Sequence, residues 1–197
     1  MKTIDYDNYE MLLNEAGQFH GDVCAGICIG TRMTMCGLHH IGIRDPKGED
    51  RKKLVVFVEI DRCATDAIMA LTGCRPGKRT MKVLDYGKMA ATFINLETGK
   101  AVRVVPRMRN EANGEMPDFA KAREEDLFTV LEVEVPLRPE DLPGKPVRRC
   151  ACEKCGDLIL DGREVELGGK LLCQPCSGQP LYYRPVTKPH AASPGNS

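Results

Sequence analysis

Two N-terminal segments carry their apolar residues at helical spacing. In residues 4–17 the apolar positions recur every three or four residues, which predicts a short amphipathic helix that ends at Gly17. Residues 24–38 are apolar and rich in small side chains, so we expect a buried helix that starts near Cys24 and packs closely on its neighbours. The apolar positions of the first segment are Tyr9, Leu12, Leu13 and Ala16.

The middle of the chain mixes strand and helix patterns without a strict alternation. Residues 54–60 form a continuous β-branched run, which is typical of a central strand, and residues 63–71 predict a helix closed by Gly73. Further predicted elements are a strand at 81–84, a hairpin formed by 90–96 and 100–105, a helical patch at 119–126 and a strand at 128–135. This mixture predicts an α+β fold, in which helices pack on a mixed sheet.

A proline-rich segment separates two predicted domains. Three prolines and a glycine fall within residues 138–146, which excludes both a helix and a sheet ladder there. We therefore expect a core domain over 1–137 and a linker over 138–147. A small cysteine-rich domain then occupies 148–185, and 186–197 form a polar tail.

Composition and charge limit the classes of function that the chain can have. Lys plus Arg equals Asp plus Glu at 28 each, so there is no basic footprint for nucleic acid, and we expect none as a partner. The first residues are polar and acidic, and no window is apolar enough for a membrane span, so we expect a soluble cytoplasmic protein. In a reducing cytosol, the ten cysteines point to metal or thiol chemistry.

The C-terminal cysteines form two Cys-x-x-Cys pairs. Cys152 and Cys155 are followed after 17 residues by Cys173 and Cys176, and four thiolates at this spacing favour a closed tetrahedral Zn²⁺ site. We predict a hairpin between the pairs, formed by residues 158–160 and 164–167, in a treble-clef or ribbon-type zinc finger. The alternatives are four reduced thiols or a redox pair, and Cys150 could take the place of Cys152 as a ligand.

A second group of candidate ligands lies near the N-terminus. His20, Asp22 and Cys24 fall within five residues at a turn into a helix, where a thiol is acidified. Cys63 lies between a predicted strand and a predicted helix, so His20, Cys24 and Cys63 could converge on one metal ion that keeps an open position. Asp22 could ligate that ion or orient His20.

The remaining cysteines and histidines have plainer interpretations. Cys28 and Cys36 fit the packing of a buried helix, because a buried Cys behaves as a small hydrophobic residue. Cys74, in a Gly/Pro loop, is either a cleft residue or a loop thiol. His39 and His40 are expected to cap a helix end or to lie exposed.

Several stretches resemble the E-subunit family of formylmethanofuran dehydrogenase. They cover about residues 15–105, in the family's order. The stretches are Phe19-His-Gly-Asp-Val-Cys-Ala-Gly26 with Gly30-Thr-Arg-Met33, then Cys63-x-x-Asp66-Ala67, Gly73-Cys74-x-x-Gly77-Lys78 and Asp85-Tyr-Gly87-Lys88-x-x-Ala91-x-Phe93. The resemblance implies an α+β core, usually dimeric, with a Cys/His-lined cleft that can hold a metal. It also implies an accessory role beside the molybdenum or tungsten enzyme that fixes CO₂ onto methanofuran, and a finger that some members carry.

The chain departs from the family pattern at two places. The family typically has His-Gly-His-x-Cys-Pro-Gly, whereas Asp22 stands at the second His here and Ala25 at the Pro. Its Gly-Cys loop contains Arg75-Pro76, where small polar and apolar residues are usual. Lys88 matches the family, and it is either a cleft cation or a surface lysine.

Three functional hypotheses follow from these observations. The first is a homodimeric metal-binding accessory protein, with zinc or a related divalent ion in the core and a structural zinc in the finger. The second is a small enzyme that uses the same cleft, in which the metal or the Cys63 thiolate supplies the reactive group and Lys88 is a further candidate. A zinc-finger transcription factor is disfavoured by the zero net charge.

Overall fold

A computed structural model of the chain describes residues 8–107 and 117–184. Its contacts divide the chain into two compact units, Met1–Gly144 and Lys145–Ser197. The helices are α1 Tyr9–His20, α2 Ala25–Ile41, α3 Cys63–Thr72 and α4 Glu124–Leu127. The strands of the first unit are β1 Leu54–Val58, β2 Met81–Val83, β3 Ala91–Asn95, β4 Ala101–Pro106 and β5 Phe128–Glu132.

The first unit is built on a five-stranded mixed sheet with the order β2-β1-β3-β4-β5. β1 and β2 are parallel, and the remaining neighbours are antiparallel. β1 is buried on both faces, as its continuous apolar run predicted, because Val56 packs in the main core and Val55 packs on the opposite face. The α+β prediction is confirmed.

Helix α2 packs on the sheet, and α1 and α3 pack on α2 and on each other. Two glycines of α2 make this close packing possible. A Cβ atom at Gly37 would lie 2.2 Å from the Phe93 ring of β3, and one at Gly30 would lie 2.7 Å from the Cα atom of Ala64 in α3. The small residues that predicted a closely packed helix are therefore points where the helix meets the sheet and its neighbour.

The end of α1 differs from the sequence prediction. Asn8 caps its start by accepting a hydrogen bond from the Met11 amide at 3.1 Å, and the helix continues through Gly17 to His20. Gly17 lies inside the helix, and its lack of a side chain makes room for Val23, because a Cβ atom there would lie 2.6 Å from Val23 Cγ2. Gly21 ends the helix with a φ of 109°, which glycine adopts at little cost.

Two further predictions for the first unit need correction. The helical patch at 119–126 shortens to the single turn of α4, because Arg123 is extended, with φ and ψ of −73° and 151°, and interrupts the helix. The segment predicted as a helix-free linker contains a 3₁₀ turn at Pro139–Asp141. Arg79 fastens this turn by donating to the backbone carbonyl groups of Glu140 and Leu142.

The second unit consists of two short hairpins. Its strands are β6 Arg149–Ala151, β7 Leu158–Leu160, β8 Val165–Leu167 and β9 Lys170–Leu172. β7 pairs with β6, and β8 pairs with β9, so the predicted pairing of 158–160 with 164–167 is wrong. Gly168 and Gly169 have φ of 60° and 76°, and two consecutive left-handed residues form the tight turn that joins β8 to β9.

Within the described ranges 8–107 and 117–184, no helix is long and apolar enough to cross a membrane.

Candidate metal centres

Three helix ends bring His20, Cys24 and Cys63 together. His20 is the last residue of α1, Cys24 is the residue immediately before α2, and Cys63 is the first residue of α3. One ligand atom from each lies within 4.8 Å of the other two, and all three residues are half-buried. The core group expected from the sequence is therefore close enough in space to share one ion.

Besides Gly30, a second glycine of α2, Gly26, allows α2 to approach α3 closely beside the His20, Cys24 and Cys63 group. A Cβ atom at Gly26 would lie 2.8 Å from the Cβ atom of Cys63. Any larger residue would push the start of α3 away from α2 and separate the two thiols. Gly26 is thus a positioning residue for the cysteine pair.

The electrostatics of the two thiols favour a cation between them. Both cysteines lie at helix N-termini, where the helix dipole stabilises a thiolate. The pKa of Cys63 is nevertheless raised, because its thiol shares a hydrogen bond with Cys24, is partly desolvated, and would carry a charge of the same sign as a Cys24 thiolate. A divalent ion would remove this mutual repulsion and allow both to ionise.

Asp66 orients His20. The His20 Nδ1 and the Asp66 Oδ2 atoms lie 2.8 Å apart, and Asp66 is in the first turn of α3, three residues after Cys63. If Nδ1 donates to the carboxylate, the lone pair of Nε2 is free to bind a metal, which is the usual arrangement of a metal-binding histidine. Asp22, expected to orient or to ligate, lies 3.7 Å from Nε2 with a largely exposed side chain.

No role for Asp66 was predicted from the sequence. The signal was present in the spacing Cys63-x-x-Asp66, since residues three apart lie on the same face of a helix. Its partner His20 is 46 residues away in the chain, so the sequence alone could not connect the two.

A cleft of about 360 Å³ opens beside this group. His20, Cys63 and Asp66 form one part of its wall, and Asp61 and Arg62 form another. A three-ligand site beside a cleft leaves one coordination position that a small molecule can reach.

Lys88 lies away from that wall. It is exposed, and its backbone amide donates to the carbonyl group of Glu59 at 3.0 Å. Lys88 is not one of the described residues that line the cleft. The positive charge of Lys88 acts instead on the Glu59 carboxylate, where it helps to lower the pKa after the larger effect of the Arg103 hydrogen bonds.

The four C-terminal cysteines of the two Cys-x-x-Cys pairs also form a compact group. One sulfur atom from each of Cys152, Cys155, Cys173 and Cys176 lies within 4.8 Å of the others. The Sγ atoms of Cys155 and Cys173 are 3.8 Å apart, and a tetrahedral zinc with bonds of about 2.3 Å requires edges of about 3.8 Å. The donor set and its spacing therefore fit Zn²⁺.

Backbone amides prepare the Cys152 thiol to be a ligand. The Cys173 amide donates to Cys152 Sγ at 3.3 Å. Hydrogen bonds from the amides of Cys155 and Cys173 lower the pKa of Cys152 to about 6. Cys150 lies outside the group of four, and burial raises the pKa of its thiol, with Glu164 nearby adding to the effect.

The other cysteines of the first unit lie in packed surroundings. Cys74 is buried in the main core, with its Sγ atom 4.0 Å from the Leu54 carbonyl oxygen. Cys36 is also a core residue, 2% exposed. Cys28 is half-buried beside Tyr9, whose pKa is raised mainly by burial and further by Cys28.

Comparisons with known proteins identify the family and the fold that this chain resembles. The family model described as "FmdE, Molybdenum formylmethanofuran dehydrogenase operon" matches residues 19–134, which confirms the resemblance noted in the sequence. A curated relative from Archaeoglobus fulgidus, named "Probable S-adenosyl-L-methionine-binding protein", is 29% identical over 207 residues. The alignment covers 89% of this chain and 54% of the relative, so the chain spans about half of that protein's length.

The fold is also similar to that of a solved structure. It is that of a tungsten formylmethanofuran dehydrogenase E-subunit (FmdE)-like protein from Syntrophus aciditrophicus. The TM-score is 0.55 at 23% identity, and the match covers 90% of this chain and 97% of the other. At this identity the likeness shows the fold alone.

Proposed function

This chain belongs to the FmdE family, and we propose that it is a metal-binding accessory protein whose core ion is held by His20, Cys24 and Cys63. The observation that carries the proposal is the convergence of these three ligands at three helix ends, with Asp66 holding the histidine ring. A carboxylate that fixes a ligand histidine is a recurrent feature of metal sites, and it has less purpose where no metal binds.

The donor set favours zinc or a related divalent ion. Two thiolates and one imidazole suit a borderline-soft metal better than magnesium or calcium, which prefer oxygen ligands. When bound, such an ion would supply Lewis acidity. The chain's own contribution is to hold the His20 tautomer through Asp66, to stabilise two thiolates at helix N-termini and to border the site with a cleft.

Metal content of substituted full-length proteins tests the core site. We expect His20→Ala and Cys63→Ser each to lose one metal ion per chain relative to the wild type. The matched controls are His39→Ala and Cys28→Ser, which make the same chemical changes outside the group. Equal metal content in His20→Ala and His39→Ala would contradict the proposal.

We also propose that the second unit is a zinc finger with a structural role. Its buried core contains only Cys152, Ile159 and Leu172 among the described residues, too little apolar surface to stabilise a fold alone. Cys176→Ser should release the finger's zinc and expose its backbone to limited proteolysis, whereas Cys150→Ser should leave both unchanged. Loss of zinc from Cys150→Ser alone would assign the ligand to Cys150.

The cleft beside Cys63 favours a second candidate function, that of a small enzyme. In that case an open position or a reactive thiolate faces the cleft, and Arg62 on its wall could bind an anionic substrate. Alkylation by iodoacetamide separates a metal-ligand role of Cys63 from the reactive-thiolate form of this enzyme. A resident ligand should react much more slowly in the zinc-loaded protein than in the apo protein, and a free nucleophile should react equally in both.

Partners are a further part of the proposal. The resemblance implies a homodimer and an association with a molybdenum or tungsten oxidoreductase. Light scattering after size-exclusion chromatography tests the first, because a monomeric mass would refute it. Co-purification with such an enzyme from the native cells tests the second.

A further inference from the structure

A third group of ligand-type side chains lies apart from both sites described above. Cys36 and His40 are one turn apart on α2, and Glu124 is the first residue of α4. One ligand atom from each lies within 4.8 Å of the other two. The sequence predicts core packing for Cys36 and a helix-end or exposed position for His40. Glu124 is 84 residues from His40 in the chain.

The three side chains converge because α2 and the segment around α4 are fastened together. Cys36 and His40 project from the same face of α2, since residues four apart are neighbours on a helix. Arg32, one turn earlier, donates from its guanidinium to the carbonyl group of Ala122 at 2.8 Å, two residues before Glu124. This contact holds the start of α4 over the face that carries the thiol and the imidazole.

We propose that Cys36, His40 and Glu124 form an additional binding site for a zinc-like divalent ion. Thiolate, imidazole and carboxylate are all zinc ligands, at about 2.0–2.3 Å, and in a tetrahedral site their ligand atoms lie about 3.3–3.8 Å apart. The His40 Nε2 and Glu124 Oε1 atoms are 2.6 Å apart, so an ion needs them to separate by less than about 1 Å.

Exposure and charge allow this ion to enter. The side chains of His40 and Glu124 are 36% and 37% exposed, so they can move and can be reached from solvent, and the buried Cys36 lies behind them. Burial raises the pKa of the Cys36 thiol, and the nearby Glu124 carboxylate adds to the effect, so an incoming ion must displace the thiol proton. Once that proton is displaced, the Cys36 thiolate and the Glu124 carboxylate together carry two negative charges. They outweigh the single positive charge of Arg32, which acts on Cys36 from one turn away on the same helix.

The bound ion would tie α4 to α2. Helix α4 immediately precedes β5, and the helix and strand together follow the connection that leaves β4. A metal ion that links α2 to α4 would therefore hold in place the start of β5, an edge strand of the sheet. This role is independent of the His20 site, because the two groups share no residue.

Neighbouring residues of the same type provide matched controls. His40→Ala and Glu124→Gln are compared with His39→Ala and Glu125→Gln, which make the same chemical change one residue away and outside the group. The full-length proteins are loaded with Zn²⁺, freed of excess metal and measured by elemental analysis. We expect each test variant to hold one metal ion per chain fewer than its control.

Cobalt substitution supplies a second measurement. Co²⁺ replaces Zn²⁺ in the wild type, and Cys36→Ser should lose part of the thiolate-to-cobalt absorption while the contributions of the other two sites remain. Circular dichroism checks folding, and Glu124→Gln decides the result if His40→Ala does not fold, because it changes a partly exposed side chain without altering its size. Equal metal content in Glu124→Gln and Glu125→Gln would overturn the proposal.

Discussion

Substitution of Asp66 should weaken metal binding at the core site without removing a ligand. Asp66→Asn keeps the size of the side chain, and the Asn oxygen can still accept from His20 Nδ1–H across the present 2.8 Å. The substitution removes only the negative charge of Asp66. That charge makes the His20 imidazole a better metal ligand, so its loss should weaken binding. Asp66→Ala removes both the charge and the hydrogen bond.

The structure sets the size of the expected effect. Loss of an outer carboxylate typically weakens metal binding by about 10- to 100-fold. The side chains of His20 and Asp66 are 21% and 41% exposed, so water screens part of the charge, and we expect the lower end of that range for Asp66→Asn. A tenfold loss corresponds to about 1.4 kcal/mol. For Asp66→Ala we expect a loss closer to 100-fold.

The assay is zinc affinity by competition with a chromophoric chelator. Asp61→Asn is the matched control, because Asp61 lines the same cleft and the substitution makes the same change of charge. The finger and its cysteines are unaltered in all these proteins, so the difference between variants isolates the core site. An Asp66→Asn protein that binds zinc as tightly as Asp61→Asn would refute the role of Asp66.

Two more predictions concern stability. Gly30→Ala should destabilise the first unit by about 1–3 kcal/mol in urea unfolding, because its Cβ would overlap the backbone of α3, whereas Gly77→Ala meets no atom within 4 Å and should cost little. Glu59→Gln should cost about 1.5–3 kcal/mol at neutral pH, because the buried Glu59 accepts two hydrogen bonds from Arg103 at 2.6 and 2.7 Å. Arg103 holds the pKa of Glu59 below its usual value, so this stabilisation is present above the unfolded-state pKa and is lost as the pH falls through the folded-state pKa. The difference in unfolding free energy between wild type and Glu59→Gln should therefore shrink in acid, and a difference that stays constant down to acid pH would contradict the ion pair.

Most of the regular elements could be predicted because their patterns are local. β1 follows from a β-branched run, and α3 follows from a helical segment that Gly73 closes with a φ of 68°. The error in α1 fell where a contact with a residue outside the helix was involved. Gly17 was predicted to end α1, yet its missing side chain accommodates Val23 and the helix runs past it.

The two candidate sites also differ in how far the sequence alone could predict them. The two Cys-x-x-Cys pairs of the finger are close in sequence, and their spacing alone predicts a four-thiolate group. The core group joins His20 to Cys63 and Asp66, and it requires α1, α2 and α3 to meet at their ends. His20 and Cys63 were candidates from the sequence, whereas Asp66 is identified only by the packing of the three helices.

The α+β class, the order of the main elements, the family and the ligand types could all be read from the chain without a structure, because hydrophobic periodicity and motif spacing are properties of short segments. Packing was needed to establish which hairpins form in the finger, where α1 ends, which carboxylate orients His20, and the meeting of Cys36, His40 and Glu124. The physical reason is that these contacts depend on how closely two elements approach. At α2 that distance is set by the absence of side chains at Gly26 and Gly30, and its consequences appear only when α3 is packed against them.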